Sequence, residues 1–251
     1  MSGHSKWSTI KRKKSAQDAK RGQLFTKLGK EIEIAAREGA DPEFNFKLRM
    51  VIEKAKAANM PRENIERAIR RGAGLEKGAA ALEELVYEGY GPNGVALMMS
   101  VVTDNRNRAV AEIRRLLTRS GGSLGESGCV AWLFDQKGFI TVPLDGQDPD
   151  EVAMMAIDAG AEDVNISDDV VEVYTKPDEL HKVREALRSA GLQVENAQLL
   201  MKPKSTVTLD EEAALKTLRL IEALEELDDV QEVYSNLELS DELLAKYEEQ
   251  G

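Results

Sequence analysis

From Phe139 to Met201 the chain spells strand, helix, strand, strand, helix, strand, and few folds can be built from that order. Phe139 to Val142 reads as a strand. Asp148-Pro149 caps a helix with Val152, Met155, Ala156 and Ala159 on one face, closed by Gly160. Asp163 to Ile166 and Val170 to Thr175 are short strands about the turn Ser167-Asp168-Asp169. Pro177 then opens a helix through Leu180, Val183 and Leu187, and Gln193 to Met201 is the last strand. This β-α-β-β-α-β order is the ferredoxin-like split unit, so residues 137–204 are expected to form a domain of their own.

The segments on either side look incomplete until they are joined. Leu85 to Tyr90 and Val95 to Val102 read as strands around the tight turn Gly89-Tyr90-Gly91-Pro92-Asn93-Gly94. That turn matches G-x-G-x-x-G, but a dinucleotide site needs its glycines to open a helix, and these open a strand. Thr103-Asp104-Asn105 caps a helix bearing Val110, Ile113, Leu116 and Leu117. Gly121-Gly122 ends it, and Val130 to Phe134 resumes as strand. Beyond the ferredoxin-like unit, Thr208 with Glu211 has a capping-box pattern. It opens a helix with Leu215, Leu218, Ile221 and Leu224, and Val230 to Tyr234 is strand. One helix and one strand cannot bury a core, so residues 205–240 are expected to rejoin 77–136. The ferredoxin-like unit is then an insertion in that middle domain, and residues 241–251 are left as an acidic tail.

Residues 1–76 follow a different pattern. Gln17 to Glu38 carries Leu24, Leu28, Ile32 and Ala35 at helical spacing and stops at Gly39. Asp41-Pro42 reads as a cap for a helix presenting Phe44, Leu48, Val51, Ile52 and Ala55, broken at Asn59-Met60-Pro61. A short helix with Ile65, Ala68 and Ile69 inward follows, and Gly72 and Gly74 end it. The expected fold class is α+β in three domains: a small helical one and two α/β ones.

Charge divides along the same line. The chain is −11 overall, yet residues 1–76 hold 18 Lys and Arg against 10 Asp and Glu, leaving 16 against 35 beyond them. One end attracts polyanions and the rest repels them. Lys11-Arg12-Lys13-Lys14, with Lys6, Lys20 and Arg21, is the densest basic cluster, suited to phosphates through counterion release. Trp7 beside it can stack on an unpaired base or dock on the helical core. Arg106 and Arg108 lie in the first turn of a helix, where free N–H groups favour an anion. They either hold a phosphate or pair with Asp104 or Glu112. The helices around Asn59-Met60-Pro61 can be read as a helix-turn-helix, although an ordinary αα-hairpin explains the same residues.

Other classes find no support. His4, His181 and Cys129 offer no metal cluster of known spacing, and no P-loop or nucleophile elbow occurs. No enzyme, cofactor, metal site or small-molecule substrate is expected. One cysteine, no apolar signal core and no apolar run approaching the ~20 residues of a membrane span suggest a cytoplasmic protein.

Five stretches in one order complete the reading: Gly3-His4-Ser5-Lys6-Trp7, Asn59-Met60-Pro61, Tyr87-Glu88-Gly89-Tyr90-Gly91-Pro92, Thr103-Asp104-Asn105-Arg106-Asn107-Arg108 and Asp228-Asp229-Val230-Gln231. Together they resemble the YebC family of bacterial regulators, whose mitochondrial relatives are translational activators of cytochrome c oxidase. The resemblance extends from the first residues to about Asn236. It implies three domains, with two α/β domains around a cleft, and a DNA-binding transcriptional regulator. A translation factor on the ribosome is the competing account, and a protein adaptor without nucleic acid is a third. Cys129 stands where that family's pattern often has serine.

Overall fold

A computed structural model of the chain describes residues 7, 18–76, 81–167 and 169–250. The chain divides into two compact units, one of residues 3–133 with 203–251, the other Phe134–Lys202. The three expected domains are thus packed as two bodies, the helical domain lying on the middle one.

In the larger unit, helices α1 (Asp18–Ala35), α2 (Phe46–Ala57) and α3 (Arg62–Gly72) bury Leu28, Ile32, Leu48, Ile52, Ile65 and Ala68 in one small core. The α3 axis comes so close to α1 that a Cβ on Gly72 would lie 2.1 Å from the Glu33 carbonyl oxygen. Two local expectations shift here. Asn45, not Asp41, caps α2, its side chain accepting from the Leu48 N–H at 3.0 Å. Phe44 consequently sits in the turn ahead of the helix and is 90% exposed rather than inward.

The sheet of this unit runs β3 (Ser123–Leu124), β1 (Glu83–Tyr90), β2 (Ala96–Thr103), β8 (Val230–Ser235), all neighbours antiparallel. β8 pairs with β2, so the segment after the insertion does rejoin the middle domain. Helices α4 (Arg106–Arg119) and α7 (Glu211–Glu225) supply Ile113, Leu117, Leu215, Leu218, Ile221 and Leu224 to a core shared with Leu97, Met99 and Val101 of β2. Each such side chain contributes about 1.5–3 kcal/mol on burial. On the other face Val102 packs with Ile34 of α1 and with Leu82. Cover on both faces is why β2 is apolar at every position but Ser100 and the closing Thr103.

Three further expectations are corrected in this unit. Val130 to Phe134 is a turn and a short 3-10 stretch (Ala131–Leu133) before the next strand starts at Phe134. The physical reason is Glu88, buried in β1, whose carboxylate accepts from the N–H groups of Gly128, Val130 and Ala131 at 2.7, 2.9 and 2.8 Å. Burial would raise its pKa, but those three donors hold it below the ordinary value. Asp210, not Thr208, caps α7, accepting from Ala213; Thr208 instead donates to Glu238. The acidic tail is a helix, α8 (Asp241–Gln250), because Leu243, Leu244 and Tyr247 recur on one face and are buried in the main core.

The unit Phe134–Lys202 has strands β4 (Phe134–Pro143), β5 (Asp163–Ile166), β6 (Val170–Thr175) and β7 (Asn196–Pro203), ordered β5-β6-β4-β7. With helices α5 (Pro149–Asp158) and α6 (Leu180–Ser189), this is the ferredoxin-like arrangement expected from the element order. Ile140 lies opposite Val173 and Val142 opposite Val171, and all four are buried. Val152 and Ala156 of α5 and Val183 and Leu187 of α6 are among the buried residues of the two helices. Met155, expected on the inward face of α5, is 41% exposed; Ala153 is buried in that helix.

Candidate nucleic-acid interface

The basic residues of the helical domain fall into groups with different work. Gln23, Lys27 and Lys30 recur at four- and three-residue spacing on α1 and so share one side of it. Gln23 donates to the Glu226 carbonyl and Lys27 to the Glu225 carbonyl, while Lys30 reaches the Asp228 carbonyl at 2.9 Å. These are carbonyls at and just past the C-terminus of α7, which lack helical partners and carry the negative end of the dipole. Arg37 donates to the Leu82 carbonyl at 2.7 Å. Part of the positive charge at the basic end therefore holds domains together. In α3, Arg62 pairs with Glu66, and Arg70 and Arg71 with Glu76, leaving Arg67 exposed.

Asp229 is the centre of this junction. Its side chain, 4% exposed, takes Lys30 Nζ at 2.6 Å, Arg108 Nη2 at 2.8 Å and the Thr103 hydroxyl at 3.0 Å. Burial works to raise the Asp229 pKa, but the donors from Lys30, Arg108 and Thr103 outweigh it and hold the carboxyl below its usual range. The motifs around Thr103 and Asp228 thus meet in one ion cluster. Arg108 is committed to it and also pairs with Asp104 at 2.7 Å. Of the two readings open for Arg108, the carboxylate partner is the one observed. Hydrogen bonds to Asp229 and then Asp104 raise its pKa further.

Trp7 is corrected outright as a stacking platform. It is 5% exposed, donates its indole N–H to Glu225 Oε2 at 2.9 Å, and meets Tyr247 edge to face at 5.3 Å. It docks on the core of the middle domain, because a large ring with one polar group suits a mostly apolar site with one acceptor. Trp7→Phe should lower stability by about 1–2 kcal/mol through the lost hydrogen bond. Thermal unfolding should show this while nucleic-acid affinity stays unchanged; lost affinity with no shift in melting would put the ring back at the interface.

The remaining candidates divide simply. Lys6, Lys11, Arg12, Lys13 and Lys14 lie outside the described residues. Lys20 and Arg21 are both on α1, and Arg21 is exposed. Arg106 opens α4 and is exposed, and Asn105 caps that end by accepting from the Arg108 N–H at 3.1 Å.

The structure adds residues that motif reading missed. α4 carries five arginines, at 106, 108, 114, 115 and 119, against one acidic residue, Glu112, and all five arginines are exposed. Arg106, Arg114, Arg115 and Arg119 form no ion pair among the described residues. Arg108, Arg115 and Arg119 follow at spacings of seven and four, a stripe of about 16 Å along the helix. From α7, Lys216 reaches the end of α4, with Nζ 3.8 Å from where a Cβ on Gly121 would stand. The signal was present in the sequence as a run of arginines on the polar side of an amphipathic helix.

The described residues contain no group of three or more His, Cys, Asp or Glu able to hold a metal, and no helix among them is long and apolar enough to cross a membrane. Fold and surface together define a multidomain α+β protein with an inserted ferredoxin-like unit and an arginine-faced helix. Family models described as the TACO1/YebC protein N-terminal domain and the TACO1/YebC second and third domain match residues 5–75 and 82–237, and the chain belongs to that family. It is 54% identical to a "Probable transcriptional regulatory protein" of Chloroflexus aggregans, over 99% of this chain and 100% of that one. It is 56% identical to a protein of the same description from Roseiflexus castenholzii, over 98% and 99%. A crystal structure of a conserved hypothetical protein from Aquifex aeolicus superposes with a TM-score of 0.83 at 52% identity, covering 89% of this chain and 93% of that one.

Proposed function

We propose that this regulator of gene expression works by gripping the phosphate backbone of nucleic acid with the exposed arginines of α4, without catalysis, cofactor, metal or small-molecule substrate. The observation that carries the reading is the set of four α4 arginines with no carboxylate partner among the described residues. Like charges one turn apart on a helix repel, a small cost that a polyanion removes. Each arginine that meets a phosphate releases condensed counterions, which supplies affinity without reading sequence. The relatives' descriptions as probable transcriptional regulatory proteins favour DNA as the polyanion. A second reading, a ribosome-associated translation factor, is favoured by the acidic insertion, which bare nucleic acid repels and basic ribosomal proteins attract.

The test is paired. Gel shifts on promoter and scrambled duplexes should show binding that falls steeply with salt and differs little between sequences. Sucrose-gradient sedimentation of lysate should show co-sedimentation with ribosomes at low salt and release at high salt. No binding to any nucleic acid at low salt would leave the chain a protein adaptor. Sharp promoter preference without ribosome association would leave the duplex-DNA reading alone.

A further inference from the structure

The surface of the ferredoxin-like unit has the opposite character to α4. Helix α5 buries Val152, Ala153 and Ala156 and turns three large apolar side chains outward: Met154 is 65% exposed, Ile157 55% and Met155 41%. Ile157 stands one turn beyond Met154. Asp150 and Asp158 lie four residues before and after Met154, and Glu151 four before Met155; all three acids are exposed. The chain around this helix is acidic without relief: between Lys137 and Lys176 there are ten Asp and Glu and no Lys or Arg.

We infer that the outward face of α5 is a docking site for a basic amphipathic helix of a protein partner. Charge complementarity commits the face to that occupant. A nucleic acid or an anionic lipid surface would be repelled by the carboxylates. A helix with leucine-like residues on one side and lysine or arginine along its borders satisfies both parts. Its apolar side covers Met154 and Ile157, and its cations pair with Asp150, Glu151 and Asp158. Methionine suits this role because its unbranched, polarisable chain adapts to partners of different shape. The site lies on a different unit from α4 and uses none of its residues, so it stands or falls separately from the nucleic-acid reading.

The test uses the full chain and a fluorescein-labelled leucine–lysine amphipathic peptide, followed by anisotropy. A peptide of the same composition, scrambled to lose its apolar side, is the control. The intact protein should bind the amphipathic peptide at least ~10-fold more tightly than the scrambled one. Met154→Ser with Ile157→Ser should remove that preference, about a tenfold loss, with unchanged circular dichroism and melting because both positions are exposed. Asp150→Asn with Asp158→Asn should weaken binding and flatten its salt dependence. Equal binding of both peptides, or full binding by the Met154/Ile157 variant, would reduce the face to general acidity and overturn the inference. Concentration-dependent dimerisation in sedimentation velocity that the same variant abolishes would assign the face to a second copy of the chain, and would also overturn it.

Discussion

Replacing Arg114, Arg115 and Arg119 together with alanine should weaken binding to a mixed-sequence duplex by at least ~100-fold near physiological salt, since three charge-assisted contacts of about 1.5–3 kcal/mol would be lost. The salt dependence is the sharper measurement. Each phosphate contact contributes about 0.9 to the log–log slope for duplex and about 0.7 for a single strand. The triple variant should therefore lose ~2.7 or ~2.1 of the slope, and the value tells which form is held. Folding should not suffer, because all three side chains are exposed and alanine favours a helix at least as well as arginine. The parallel variant, Lys11, Arg12, Lys13 and Lys14 to alanine, should lose up to ~3.6 on duplex if all four contact phosphates. An unchanged slope in the α4 variant would mean that those arginines are only a solvated face.

Asp229→Ala should be strongly destabilising. Removing this carboxylate leaves Lys30 and Arg108 facing each other across the junction of α1, β2 and α4. Breaking such a buried cluster from one side costs about 3–5 kcal/mol. Arg108 is 45% exposed, so its arm is screened by water and counts for less than that of Lys30, which is 17% exposed. At about 2–4 °C per kcal/mol for a chain of this size, the melting temperature should fall by roughly 6–20 °C. Asp229→Asn keeps one acceptor oxygen and should cost less. The pH dependence follows from the depressed carboxyl pKa. Its stabilisation is fully present above the unfolded carboxylate value of about 3.9 and is lost as pH falls through the lower folded value. Urea unfolding of the native protein should therefore weaken more steeply than that of Asp229→Asn below about pH 4. Parallel curves for the two proteins would show that the cluster contributes nothing.

Some of this was legible residue by residue. The strands Asp163–Ile166 and Val170–Thr175 were read to the residue, because the polar turn between them and the alternation within them have a single solution. The core side of α7 is legible because Leu215, Leu218, Ile221 and Leu224 recur every three residues along it. Elements whose form depends on a distant partner were misread. Val130 to Phe134 is apolar enough for a strand, yet Glu88, some forty residues away, takes its N–H groups and fixes a turn. Residues 241–250 look like a solvated acidic tail, since the three residues that dock them are outnumbered by acids and gain nothing until a core exists to receive them.

The functional surface divides in the same way. Order of elements, the inserted ferredoxin-like unit, the charge asymmetry and the absence of recognisable catalytic motifs are properties of the one-dimensional chain, and the sequence by itself determined them. Periodicity and composition act locally, through the alternation of apolar positions and the long-range pull of net charge. Which charges remain available to a partner is different, because an ion pair is set by the distance between groups far apart in the chain. Only the tertiary structure assigned Lys27 and Lys30 to the end of α7, drew Arg108 onto Asp229, and took Trp7 out of water. It left α4 with four exposed arginines that form no ion pair among the described residues, a distinction that their identical side chains do not reveal in the sequence.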